Sequence, residues 1–443
     1  MKLLAPLRLP RFRRLYTAQI VANVGDGLDY LAIITLVVFL WDRGAGSLSA
    51  LALALALPLV IGAPFFGAVA DRFEPRVVMV GANVLRGLAF AGIAMSAGFA
   101  QVLLLVAVTA LGTGLFNTAQ VRFIRSQVSD DLLLSANALR STTERMLTGM
   151  AGPALAAGLI GLYGPRTTLV VTAVCFAVSG LLVARVGRVD GKGDSAARAK
   201  RQPLHQRVVV GFAHVWSLPP LRLVVFGMAG AYLITAMFDV MLPLWYREIG
   251  GGPAFIGIAM TCLGAGGAVG AVLTAQFGDR FNLITVMAGA AMVIGVLVGG
   301  MGAVGVFGAS VQTALWFPAI VVIGAAAATA IVGYSTLVQR LTPEHMMGRV
   351  AAITGAALTV PTVLGPALAP LLTLFTGIDG LFILCGSGLL AIGAFIALRS
   401  RRYSALVRPE PAADRDDGNE SDGGPRSTAA STNSAKTERG TDG

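Results

Sequence analysis

The chain has 443 residues, 55% of them hydrophobic and only 13% charged, with a mean hydropathy of +0.75. A soluble domain carries about 25% charged residues, so a water-soluble globular protein is excluded and a polytopic membrane protein is expected. The net charge of +11 does not indicate nucleic acid, because the basic residues gather at alternate junctions between apolar runs, as in chains whose partner is the lipid bilayer.

Apolar runs of spanning length, roughly 20 residues for a bilayer core of about 30 Å, number about twelve and continue to about residue 399. Lys2, Arg8, Arg11, Arg13 and Arg14 precede the first run, a basic group spans Arg185 to Arg222, and Arg399, Arg401, Arg402 and Arg408 follow the last. The alternate loops hold little beyond Arg43, Arg166 and Arg247. This asymmetry predicts cytoplasmic termini, a cytoplasmic central loop and an even number of spans. The expected organisation is a basic N-terminus (1–14), a six-helix bundle (15–186), a linker with an amphipathic helix (187–220), a second six-helix bundle (221–400) and a disordered tail (401–443). Cys175, Cys262 and Cys385 lie inside apolar runs without C-x-x-C spacing, so no disulfide framework, metal site or cofactor is expected. No cleavage site follows a short apolar core near the N-terminus, so the first run reads as a retained helix.

The first helix, from about Phe12 to Leu40, carries Tyr16, Gln19, Asn23, Asp26, Asp29 and Tyr30 at spacings of mostly three and four. That spacing puts them on one face. Asp26 lies about 11 residues beyond Leu15, roughly 16 Å of rise, near the bilayer midplane. A carboxylate there is costly and usually faces a cavity. It reads as a proton or substrate site, or as the partner of Arg86 in the third helix. Arg86 itself is expected to snorkel toward the cytoplasmic surface.

Between the second run (about Leu48 to Ala70) and the third (about Val77 to Ala97) lies Gly67-Ala68-Val69-Ala70-Asp71-Arg72-Phe73-Glu74-Pro75-Arg76. Gly67 lets helix ends approach, Asp71 can face a helix N-terminus, and Arg72 and Arg76 hold the turn at the surface. The tripeptide recurs as Asp279-Arg280-Phe281, 208 positions later. The fourth helix is expected from about Val102 to Phe123, and Ser135 or Asn137 as the N-cap of the fifth. Glu144 and Arg145 read as a local ion pair. Gly149, Gly152-Pro153 and Gly158 are expected to bend the fifth helix and admit a neighbour. In the linker, Leu204, Val208, Phe212 and Val215 suit a helix lying on the membrane face. Asp239 stands in the seventh helix near the place of Asp29 in the first, with Tyr232 and Trp245 as aromatic surface. Gly365-Pro366 follows Gly152-Pro153 by 213 positions. A near-constant offset over separate features predicts an internal duplication.

Gly67, Asp71, Arg72 and Arg76 resemble the loop motif between helices 2 and 3 of the major facilitator superfamily, with Glu74 and Pro75 departing from its pattern. Phe12-Arg13-Arg14-Leu15 with Gly25-Asp26, and above all the string from Gln339 to Val350, resemble its macrolide and enterobactin exporters. Gly152-Pro153 matches part of the exporters' glycine-rich motif, whose closing glycine pair is replaced by Ala156-Ala157. The resemblance covers about residues 10 to 400 and implies an all-α fold of twelve transmembrane helices in two pseudo-symmetric six-helix bundles. It implies a conformational latch at Gly67, Asp71, Arg72 and Arg76, with Asp279 and Arg280 as the second copy. It also implies a monomer in the cell membrane that moves a small molecule outward against protons. Asp26, Asp29 and Asp239 are the candidate coupling acids, with Asn23, Gln19 and Tyr30 beside them; burial disfavours the charged form of a carboxyl, as such coupling needs. Two other readings stay open. One is an importer or facilitator of a neutral metabolite. The other is a membrane-embedded enzyme, although no H-E-x-x-H, G-x-S-x-G or P-loop occurs.

Overall fold

The computed structural model describes residues 2–187, 212–306, 315–343 and 346–407. Among them, ten helices are long and apolar enough to cross a membrane. Two of these, Ser135–Ala184 with 50 residues and Arg349–Ser400 with 52, would rise about 75 Å at 1.5 Å per residue, more than two bilayer cores. Each breaks at a glycine in the left-handed region: Gly164 at φ 80° and Gly377 at φ 69°. Only glycine adopts that conformation at no steric cost. Gly164 precedes Pro165, which further disfavours helical backbone before it. The two breaks are 213 positions apart and turn ten helices into twelve.

The helices are α1 Pro10–Ile34, α2 Ala45–Arg72, α3 Pro75–Ala94, α4 Phe99–Gln127, α5 130–163 and α6 165–184 in the first half. The second half holds α7 Pro219–Glu248, α8 Pro253–Phe277, α9 Leu283–Val306, α10 Trp316–Arg340, α11 347–376 and α12 378–407. Prolines stand at the first turns of α1, α3, α7 and α8, where no donor is lost and φ is already set. The duplicated all-α architecture expected from the sequence is present.

Several local expectations are corrected. The fifth helix begins five residues earlier than Ser135, with extended Ser129 as its N-cap residue. The Ser129 carbonyl accepts the first bonds from the Leu132 and Leu133 amides, so Ser135 and Asn137 lie inside the helix. Glu144 pairs with Arg140 one turn back, at 3.1 Å, and not with Arg145, because residues four apart share a face and adjacent ones do not. The amphipathic linker helix and the disordered tail fall mostly outside the described residues. Of the linker, 212–217 is helical, with Val215 buried and Phe212 stacked on Trp216.

The face that carries the N-terminal segment and the α2–α3 loop is called the basic face below; α1 ends at the opposite, far face. One apolar core joins the two halves at the far face. Leu31, Ile34, Val38 and Leu48 pack there in a cluster with Leu244, Trp245, Tyr246, Ile256 and Phe382. At the basic face the halves have separate cores: one around Phe12, Leu15, Phe123 and Val183, another around Leu221, Val224, Leu337 and Ile396. The halves are therefore sealed together on the far side and packed independently on the basic side.

Candidate functional site

The polar stripe of α1 turns inward. Gln120 of α4 donates to Gln19 at 2.8 Å, and Ser179 of α6 donates to the Ala18 carbonyl at 2.8 Å. Asn83 of α3 donates to Ser179 at 3.0 Å, and the Tyr16 and Thr143 hydroxyls are bonded to each other. Above this network Arg86 bonds to Asp26 as an ion pair. The guanidinium lies 3.8 Å over the Phe176 ring, and Phe176 stacks on Phe90 at 5.4 Å. Gly112 of α4 makes the room: a Cβ there would run into the Arg86 side chain. Arg86 is 2% exposed, so the expected snorkelling to the surface is wrong. An arginine about three turns into a helix reaches the surface only where the interior offers it nothing. Here α1, α4 and α6 offer a carboxylate, a slot and an aromatic face.

The Asp26 side chain stays 28% exposed. Asp29, one turn on, lies within electrostatic reach of both Asp26 and Arg86. Asn23 and Gln19 are each 5% exposed. Asn23 Nδ2, Asn83 Oδ1, Arg86 Nε and Gln120 Oε1 have no protein partner.

Asp239 of α7 lines a cavity of about 400 Å³ inside the second half, with walls from α7 to α12. Among the described residues Asp239 has no cationic partner within ion-pair distance. Tyr30 of α1 and Tyr232 of α7 both feel its charge, so the α1 stripe and Asp239 face each other across the halves. Trp245 is not cavity surface as expected. It is fully buried in the far-face core and donates to Asp379 at 3.1 Å.

The bend motif is a crossing point in both halves. A Cβ on Gly152 would fall on the backbone of Gly27, and a Cβ on Gly365 on the Cβ and backbone of Ala236. Helix α5 thus touches α1 as α11 touches α7. Pro153 and Pro366 follow these glycines, and both are buried. Pro153 lacks the amide that would take the Gly149 carbonyl, and the preceding turn, Leu147–Ala151, widens to a π-helix. The freed Gly149 carbonyl faces Gly264 of α8, and the Met150 carbonyl accepts from Thr261 at 3.3 Å. The bend therefore stitches α5 to α8, across the halves.

At the basic face Arg122 of α4 bonds to the Ala70 carbonyl and lies 3.8 Å from Asp71. Arg76 donates to the Ala184 carbonyl at the end of α6. Arg72 and Arg280 each lie over a neighbouring phenylalanine, Phe73 and Phe277. Gly67 has open space at its Cβ position, and the Asp279 side chain is outside the described residues. At the far face Arg247 of α7 bonds to Asp42 and to the Val38 carbonyl, joining the halves. Sequence reasoning missed this link. Its signal was an Asp42-Arg43 pair and an Arg247-Glu248 pair at two junctions with few other charges.

The sequence profile described as Major Facilitator Superfamily matches residues 20–363 and 225–437. The chain is 24% identical over 398 residues to the uncharacterized MFS-type transporter YfiS of Bacillus subtilis, covering 88% of this chain and 94% of that one. It is 26% identical over 430 residues to the multidrug efflux pump Tap of Mycobacterium tuberculosis, covering 92% and 97%. A solved bacterial homologue of the iron transporter ferroportin, in an inward-facing state, superposes with a TM-score of 0.68 at 17% identity, covering 90% and 99%.

Proposed function

We propose, from the premise that the chain belongs to the Major Facilitator Superfamily and is a multi-pass membrane transporter, that it exports a small amphipathic molecule in exchange for protons. The observation that carries the reading is the set of three acids within the membrane-spanning helices, Asp26 and Asp29 on α1 and Asp239 on α7, in halves whose cores join at the far face only. Rocking of the halves would expose the space between them to each side in turn. An intramembrane carboxylate is costly and persists where it has work to do. The basic face is cytoplasmic in this reading, so cargo enters from the cytoplasm, and the chain acts as a monomer in the cell membrane. The likeness to an efflux pump along nearly the whole chain supports the outward direction.

The test uses everted membrane vesicles with an imposed proton gradient and a panel of macrolides, phenicols, dyes and catechol siderophores. Collapse of the gradient on addition of a compound, lost in Asp26→Asn or Asp239→Asn, is expected. A gradient untouched by compounds that nevertheless cross the membrane through the protein would make it an uncoupled facilitator.

A further inference from the structure

The duplication allows the two halves to be compared position by position. Gly27 and Ala236 occupy equivalent crossings, an offset of 209 between α1 and α7. The repeated Asp-Arg-Phe gives 208 at the start of α3 and α9, and the paired breaks at Gly164 and Gly377 give 213 between α6 and α12. With these offsets the polar core of the first half maps onto single positions of the second. Asn23 and Asp26 map to Tyr232 and Thr235. Asn83 and Arg86 map to Ala291 and Ile294, and Phe176 and Ser179 map to Leu389 and Ile392. All six counterparts line the 400 Å³ cavity.

The same site is thus full in one half and hollow in the other. In the first half an ion pair, an aromatic ring and bonded amides fill it. In the second, Ala291, Ile294 and Leu389 stand in place of Asn83, Arg86 and Phe176, their smaller apolar side chains border open space, and Asp239 is the only carboxylate on its wall. A volume of this order is that of a small-molecule pocket, typically about 300–1,000 Å³. An unpaired carboxylate in an apolar wall is costly until a cation meets it. The hydroxyls of Tyr232 and Thr235 are the remaining polar groups of the helix that carries it.

We propose that this cavity, walled by α7 to α12 of the second half, is the cargo pocket, and that its ligand is a lipophilic monocation whose charge sits at Asp239. In the first half Arg86, Asp26 and Phe176 occupy the equivalent positions. The proposal rests on the transporter reading above and assigns its binding step to one half.

The test is equilibrium binding of radiolabelled tetraphenylphosphonium to the full chain in nanodiscs. Saturable binding is expected, weakened at least tenfold in Asp239→Asn. Ala291→Phe and Ile392→Phe, which fill the cavity from two different helices, are expected to abolish it while thermal unfolding stays cooperative. Absence of saturable binding to the wild-type chain overturns the proposal, as does undiminished binding to either filled variant that folds. Binding that is lost on filling the cavity, without any collapse of the gradient in the vesicle assay, would support the pocket and sink proton-coupled export.

Discussion

Arg86 of α3 and Asp26 of α1 form an ion pair inside the first half, with the guanidinium 3.8 Å above the ring of Phe176. Removing one member of a buried pair leaves the other charged and unmatched, which costs about 3–5 kcal/mol. Asp26→Asn, which leaves the 2%-exposed Arg86 unmatched, is therefore expected to lower stability by that amount. Arg86→Met should cost less, because the carboxylate it leaves is 28% exposed. The double variant should recover part of the loss. Thermal unfolding of the four proteins in detergent gives the coupling energy directly; additive losses would contradict the pairing.

Gly112 is the gap that admits Arg86. A methyl group there would overlap the arginine side chain, so Gly112→Ala is expected to destabilise by about 1–3 kcal/mol. The helix-propensity gain of about 1 kcal/mol from glycine to alanine works the other way. The loss should shrink in an Arg86→Ala background, which removes the Cγ and Cδ that a Cβ at position 112 would meet.

The bend motif divides its glycines into two kinds. Gly152 and Gly365 meet backbone across a helix crossing, whereas the Cβ position of Gly149 is open. Gly152→Val and Gly365→Val are expected to abolish stable expression. Gly149→Ala is expected to be neutral, or to stabilise by up to about 1 kcal/mol. Yield of folded protein by fluorescence-detected size exclusion checks all three, and a Gly152→Val protein that folds normally would contradict the crossing.

Arg247 ties α7 to α1 at the far face through Asp42 and the Val38 carbonyl. Asp42 is the only non-glycine residue with positive φ among the described residues, at 51°. The pair is mostly exposed on the aspartate side, and such pairs contribute about 0–1 kcal/mol. Arg247→Ala should shift the balance of open and closed far faces by at most about fivefold. The rate at which a membrane-impermeant maleimide reaches a cysteine introduced at Val37 measures it. A rise of up to fivefold is expected, and no rise would show that the apolar core alone holds that face.

The duplication was legible in the sequence because the chain repeats what it uses at surfaces and crossings: Asp-Arg-Phe at 71 and 279, Gly-Pro at 152 and 365. The turns at Gly164 and Gly377 sit at the same offset as the Gly-Pro pairs. Asp26, Asp29 and Asp239 could be named as acids within membrane spans because apolar sequence surrounds them. The fate of Arg86 was not legible, since it depends on Gly112 and Phe176, which are 26 and 90 positions away. The cavity was not legible either. A run of small residues reads alike whether it admits a neighbour or leaves a void. Gly266 and Gly270 of α8 press against α10, whereas Gly267 between them lines the cavity.

The central claim is coupling between cargo and protons. The most direct measurement is accumulation of tetraphenylphosphonium in proteoliposomes with a pH gradient imposed and the membrane potential clamped at zero. The account predicts movement of the cation against its own gradient, in exchange for protons, abolished in Asp239→Asn and in Asp26→Asn. Equilibration that stops at equal concentrations on both sides, whatever the pH gradient, would contradict it.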